Sequence, residues 1–300
     1  MNSAIDVRDL RRSYGELEAV RGLSFTVEPG EVFCLLGPNG AGKTTTVEIL
    51  EGYRTRTTGS VSVLGFDPAA GERAFRERVG IVLQETGVPG DLTVGELLRM
   101  YGRYYPRPRD ARELVELVGL DAKEDVRVKS LSGGQRRRLD LALALVGDPD
   151  LIFLDEPTTG FDPSARRAAW GAIRSLCGLG KTVFLTTHFM DEAQALADRV
   201  AVMREGELVA AGSPDELGGR DAAPTEIRFA LPPGVELADL PPLGAGTLVE
   251  HDGDGALVTA TDGVAATHAL TGWALERGID LRGLAVAQPT LEDIYLSLTS

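Results

Sequence analysis

The sequence predicts an α/β fold over its first two thirds and a small α+β domain after it. Three observations carry this. Short, wholly apolar runs alternate with helical patterns as far as residue 217, a Gly/Pro/Asp/Ala-rich stretch covers 218–224, and beyond it apolar residues alternate as in half-buried strands. The charge changes at the same place: residues 220–300 hold four Arg and no Lys against twelve Asp and Glu, while the first 219 hold 27 basic against 33 acidic. The expected domains are therefore 1–217 and 218–300.

Val32–Leu36, Val79–Leu83, Leu151–Leu154, Thr182–Thr186 and Arg199–Met203 show no polar alternation, which suits strands covered on both faces of a parallel sheet. Helices are expected at Lys43–Glu51, Pro163–Leu176 and Asp191–Leu196. Residues 85–140 read as a mostly helical insertion. Thr93 and Glu96 have capping-box spacing, and Asp110–Val118 and Gln135–Leu145 are helical. After the boundary, Thr225–Leu231 is a strand, Thr247–His251 and Ala256–Ala260 form a hairpin, Val264–Arg277 is a helix and Leu281–Ala287 a strand. A last helix, capped by Thr290, places Leu291, Ile294, Tyr295 and Leu298 on one stripe.

Composition excludes several classes. With 43% hydrophobic and 25% charged residues, the chain is neither wholly disordered nor fibrous. No apolar run approaches the roughly 18 residues a membrane span needs, and the first residues lack the apolar core of a secretory signal. Cys34 and Cys177 make neither a disulfide framework nor a metal-ligand spacing. A cytoplasmic protein is expected. A net charge of −14 argues against coating nucleic acid. The aromatic–basic cluster Tyr101–Arg109 therefore reads as a helix end broken by Pro106 and Pro108, and Arg136–Arg138, consecutive on a helix, cannot share one face. His251 and His268 read as ordinary surface residues.

The chemistry lies elsewhere. Gly37-Pro38-Asn39-Gly40-Ala41-Gly42-Lys43-Thr44 fits G-x-x-x-x-G-K-[ST] between an expected strand and an expected helix. Its glycines let backbone N–H groups close around an anion, and the helix N-terminus adds partial positive charge. Lys43 can reach the β and γ phosphates of a nucleotide, and Thr44 offers a hydroxyl to Mg²⁺. Asp155 and Glu156 end an apolar strand at the ligand-binding edge of such a sheet. Asp155 suits Mg²⁺ and Glu156 suits polarising a water. Alone, two acids after a strand mean little; with a phosphate loop upstream they mean more. Leu131-Ser132-Gly133-Gly134-Gln135 is a second anion-binding helix start, one more than a single nucleotide needs.

With that pentapeptide 24 residues before Asp155, the chain resembles the ATP-binding cassette (ABC) ATPases over roughly residues 4–217. The resemblance implies a P-loop NTPase (RecA-like) cassette with a helical subdomain at about 85–140, binding ATP and Mg²⁺. It implies that Tyr14 stacks on adenine and Val20 lines the base, and that Gly37 to Thr44, with Thr45, hold the phosphates. Glu156, His188, Lys43 and Gln84 become the catalytic set, and Thr44, Gln84 and Asp155 the Mg²⁺ set. In this family two cassettes face head to tail, so Leu131, Ser132, Gly133, Gly134 and Gln135 act on a partner's ATP, and Asp162, in the loop Thr159–Pro163, couples the two sites. Two departures are visible: Leu83 stands where a proline often precedes the glutamine, and Phe161 where leucine is usual.

The resemblance also implies a homodimer, or a paired cassette, and a permease on a separate chain, with this chain peripheral on the inner face of the membrane. Residues Pro289–Thr299 resemble the chain end of the daunorubicin/doxorubicin exporter branch, which leaves the cargo open among drug, antibiotic and lipid-like compounds. The helical insertion is where such ATPases meet their membrane partner. A soluble ABC ATPase of DNA repair or translation would carry a long coiled coil or two cassettes in one chain, and neither is present here. A P-loop kinase for a small acceptor would lack the pentapeptide.

Overall fold

A computed structural model describes residues 3–82, 87–217, 223–253 and 255–288, with Thr290, Leu291, Asp293 and Tyr295. It separates into two units, Met1–Pro214 and Asp215–Ser300.

The first unit is built on a six-stranded sheet. In chain order its strands are β3 (Val32–Leu36), β5 (Val79–Val82), β6 (Leu151–Asp155), β7 (Thr182–Thr187), β8 (Arg199–Arg204) and β9 (Glu207–Gly212). They lie side by side as β5-β6-β7-β3-β8-β9, all parallel except β9, which runs antiparallel to β8. Every residue of β3 is buried, as its unbroken apolar pattern requires. Phe33, Phe153 and Phe184, one from each of β3, β6 and β7, pack at 5.5–5.6 Å between ring centres. The three rings are register partners on one face of the hydrogen-bonded strands whose carboxyl ends carry the candidate chemistry.

No strand is expected before Val32, yet the structure has two. β1 (Ile5–Tyr14) and β2 (Leu17–Val27) join β4 (Thr58–Val63) in an antiparallel sheet of order β2-β1-β4. Ile5, Val7, Leu10, Val20, Leu23 and Val27 are buried on its inner face. Register shifts at Val7/Leu10 and Leu10/Arg11 interrupt the alternation along β1, whereas Leu23–Val27 of β2 alternates cleanly and is a strand signal passed over at the sequence level.

The helices mostly follow expectation. They are α1 (Lys43–Leu50), α2 (Arg73–Glu77), α3 (Val94–Gly102), α4 (Ala111–Leu117), α5 (Gly133–Leu145), α6 (Pro163–Gly178) and α7 (Met190–Leu196). Only α2 is unanticipated. Thr93 and Glu96 form the expected capping box, and Asp110 caps α4. Helix α3 ends at Gly102, before Pro106 and Pro108. Arg136, Arg137 and Arg138 diverge: Arg136 is exposed, Arg137 donates to the Asp155 and Pro157 carbonyls, and Arg138 to Gly119.

Glu51, which closes α1, is only 7% exposed and lines a cavity of about 340 Å³ with Tyr53, Tyr101, Tyr105 and Asp140. Burial, reinforced by the charges of Asp155 and Glu48, pushes its pKa from 4.5 up to about 8. The folded chain therefore binds more protons than the unfolded chain between those two values, and stability falls as pH rises through that window. Glu51→Gln should lie within about 1 kcal/mol of wild type in thermal melts near pH 5 and exceed it near pH 9, by on the order of 5 kcal/mol. Equal melting at both pH values would refute the assignment.

The second unit holds β10 (Thr225–Ala230), β11 (Thr247–Asp252), β12 (Gly255–Ala260), α8 (Gly263–Arg277) and β13 (Ala285–Ala287). Its antiparallel sheet has the order β11-β12-β10-β13, and Ile227, Phe229, Val258, Ala266, Leu270 and Trp273 form one core. The expected strand Leu281–Ala287 is shorter: only Ala285–Ala287 pair as a strand, because Gly283, at φ +68°, turns the chain first. Thr290 and Asp293 exchange side-chain and backbone hydrogen bonds as a cap does, and Leu291 and Tyr295 are buried. Ile294 and Leu298 of the expected stripe lie outside the described residues.

Candidate functional site

Strand β3 runs straight into the loop Gly37–Gly42, and α1 begins at Lys43. Two of the loop's glycines are sterically required. A Cβ at Gly37 would strike the Met203 carbonyl; one at Gly42, where φ is +102°, would strike the Ala19 carbonyl. The loop encloses a cavity of about 400 Å³ lined by Asn39, Gly40, Lys43, Thr44, Asp155 and Glu156, with Ala19, Gly42 and Thr45 completing the wall. Lys43, 4% exposed, donates to the carbonyls of Gly37 at 2.8 Å and Pro38 at 3.2 Å, and lies 3.5 Å from Glu156 Oε1. Burial lowers the Lys43 pKa, and Glu156 opposes that.

The two acids at the end of β6 occupy different environments. Asp155 accepts the Thr186 hydroxyl hydrogen bond, and burial raises its pKa. Glu156 sits at φ +45°, a left-handed conformation unusual for a side chain with a Cβ. Its N–H is held by the carbonyl and hydroxyl of Thr186, on the neighbouring strand β7. That turn directs Glu156 toward Lys43, 3.5 Å away, and His188, whose Nδ1 is 3.3 Å away; Thr159 donates to its other oxygen at 3.2 Å. Burial works to raise the Glu156 pKa, but Lys43, His188 and Thr159 together hold it below the ordinary glutamate value. It is thus kept ionised, as an acceptor for a water proton must be.

The other expected residues fall into three groups. Gln84 lies outside the described residues. Val20 is corrected: it is fully buried in the core, while Ala19 lines the loop cavity. Alternation along β2 turns successive side chains to opposite faces, so the larger apolar residue took the core face. Tyr14 keeps its ring 36% exposed, with the Arg12 guanidinium 4.5 Å from the ring centre and Arg54 donating to its hydroxyl.

The pentapeptide is not at this cavity. Gly133 and Gly134 line a separate space of about 620 Å³ with Arg136, Thr159, Gly160 and Asp162, and Glu156 borders both spaces. Ser132 and Gln135 form a reciprocal capping box at the start of α5, and Leu131 is buried. Asp162 caps α6, accepting from Ser164 at 2.8 Å and Ala165 at 2.9 Å. Thr186 was not anticipated: it lies near the end of β7, a strand that also opens on a threonine, and its partner Glu156 is 30 residues away.

Thr44 and Asp155 bring a hydroxyl and a carboxylate, hard oxygen donors, onto one cavity. Those donors fit a small divalent cation that keeps most of its waters.

A family model described as ABC transporter matches residues 20–159, and one described as the C-terminal domain of ABC transporter domain-containing protein-like chains matches 225–290. The chain is 42% identical to Nod factor export ATP-binding protein I of Paraburkholderia xenovorans (strain LB400), covering 99% of this chain and 97% of that protein. It is 47% identical to the protein of the same name from Rhizobium meliloti (strain 1021), over 71% of this chain and 65% of that one. Among solved structures, cbiO1 from Clostridium perfringens, part of the ABC transporter complex cbiONQ, superposes with a TM-score of 0.66 at 28% identity, covering 72% of this chain and 90% of that one. The ADP conformation of MJ1267, an ATP-binding cassette of an ABC transporter, shares the fold with a TM-score of 0.63 at 23% identity, covering 72% of this chain and 93% of that one.

Proposed function

The chain belongs to the ABC transporter family as an ATP-binding, ATP-hydrolysing subunit, and from that premise we propose that it powers an exporter whose permease is a separate chain. Support comes from relatives named as export ATP-binding proteins along nearly their whole length. Among the described residues no helix is long and apolar enough to cross a membrane, so the membrane path is assigned to that partner. The chain is proposed to sit peripherally on the inner face of the membrane. The cargo class is a drug, antibiotic or lipid-like compound, and the branch is that of the daunorubicin/doxorubicin exporters, on the resemblance of Pro289–Thr299. The cavity beside Glu51, Tyr101 and Tyr105 is the proposed seat for a permease segment.

One observation carries the catalytic arrangement: the phosphate loop and the pentapeptide line different cavities of the same chain. Two copies facing head to tail would bring one copy's Ser132, Gly133 and Gly134 against ATP held by the other's Lys43, Thr44 and Thr45. Tyr14 would meet the adenine, His188 the γ-phosphate, and Glu156 would orient and polarise the attacking water. Thr44 and Asp155, with Gln84, would hold Mg²⁺, which neutralises phosphate charge when bound. Asp162 would link one site to the other.

Mixing two inactive variants tests the sharing. Lys43→Ala and Ser132→Arg should each lack ATPase activity alone. In a mixed dimer one site collects both lesions and the other none, so activity should return on mixing. A mixture as inactive as its parts would count against shared sites.

A further inference from the structure

We propose that Glu192 is a positioning residue that clasps the Glu156 loop to the His188 turn, holding both at the geometry hydrolysis needs. The inference rests on the assignment of Glu156 and His188 to the hydrolytic site. Glu192 lies on α7, four residues after His188, and is fully buried. Its Oε1 accepts from the Thr158 hydroxyl at 2.8 Å and from the Trp170 indole N–H at 3.1 Å. Thr158, also fully buried, stands two residues after Glu156 and one before Thr159, which itself donates to Glu156. One carboxylate oxygen therefore joins three pieces of chain: the loop after β6, helix α6 through Trp170, and the helix that begins beyond His188.

The other oxygen, Oε2, is buried with no hydrogen-bond partner. Leaving a buried carboxylate oxygen unpaired costs stability, and an apolar side chain would avoid that cost. Burial also raises the Glu192 pKa, against the donors Thr158 and Trp170, the nearby Thr187 side chain and the charge of Arg166. A residue this expensive at a purely structural position is unexpected, whereas a joint between two loops explains it. Thr186 fixes Glu156 from β7 at one point; Glu192 fixes the same loop at a second point, from the far side of His188. With one point alone the loop can pivot, and small displacements of a water-orienting group are costly to rate.

The test is steady-state ATPase kinetics on three variants. Glu192→Ala removes the joint, and kcat should fall by about 10-fold to 10²-fold, with KM for ATP within about twofold of wild type, because the phosphate loop is untouched. Glu192→Gln retains an acceptor oxygen for Thr158 and Trp170 and should recover most of kcat. Thr158→Val, nearly isosteric, should reproduce part of the kcat loss even if the alanine variant folds poorly. A second readout is optical. The chain has two tryptophans, so in a Trp273→Phe background Trp170 reports alone, and its emission maximum should shift in Glu192→Ala but not in Glu192→Gln. Wild-type kcat in Thr158→Val, or a Glu192→Gln as slow as Glu192→Ala, would overturn the proposal. Glu156→Gln measured alongside separates the two ideas: if it still hydrolyses ATP, the underlying site assignment fails instead.

Discussion

Glu156→Gln is expected to bind ATP as wild type does and to turn it over about 10² to 10⁴ times more slowly. The amide keeps the shape of the side chain and loses the charge that accepts a proton from water. The structure gives the reason that charge is available: Lys43 and His188, 3.5 Å and 3.3 Å away, keep Glu156 ionised although burial favours its neutral form. Because ATP is held and not consumed, the closed pair of subunits should accumulate. Sedimentation with and without ATP reads this out. A variant that stays monomeric at saturating ATP and high protein concentration would speak against closure on nucleotide, and one with unchanged phosphate release would remove Glu156 from the chemistry.

Lys43→Ala should abolish measurable hydrolysis and weaken ATP binding together. Removing a preorganised charge at a transferring phosphoryl group costs roughly 10² to 10³ in rate. Lys43 is buried, bonded to two carbonyls of its own loop, and faces the cavity that the loop encloses. Its replacement also takes the Lys43 charge away from Glu156, so the glutamate pKa should move up, which compounds the loss. A fluorescent ATP analogue and a phosphate-release assay measure the two effects separately. Wild-type hydrolysis in this variant would mean that the nucleotide lies elsewhere.

Much of the site was legible because its parts are local. The phosphate loop is eight consecutive residues between a strand and a helix, and Asp155-Glu156 and Leu131–Gln135 are similarly contiguous. The parallel strands were legible because burial on both faces leaves uninterrupted apolar runs. Strand β1 was missed for the opposite reason. Asp9, at φ +45°, sits within the register shift between Val7 and Leu10, so the alternation of Ile5–Arg8 stops after four residues and does not run the length of β1. Ala19 lost to Val20 because the resemblance supplied an apolar residue near that position and the β2 pleat, which sends the larger of the two neighbours into the core, was not read from the sequence. Thr186, Thr158 and Glu192 were illegible in a different way: each acts through a partner 30 or more residues distant. No local spacing can announce such a pair. His188 came only through family resemblance, since a lone histidine after a strand carries no signal of its own.

The left-handed backbone of Glu156 has a consequence for the chain as a product of selection. At φ +45° glycine or asparagine would be the comfortable occupants, and glutamate costs on the order of 1 kcal/mol relative to them. Selection for durability alone would erode this residue, because the easiest stabilising exchanges at the position are also the ones expected to inactivate under the proposed role of Glu156. With Glu156 in the proposed catalytic role, stability and activity make opposite demands at a single backbone angle. A library screened only for heat resistance should drift away from glutamate here, whereas one screened for turnover should hold it.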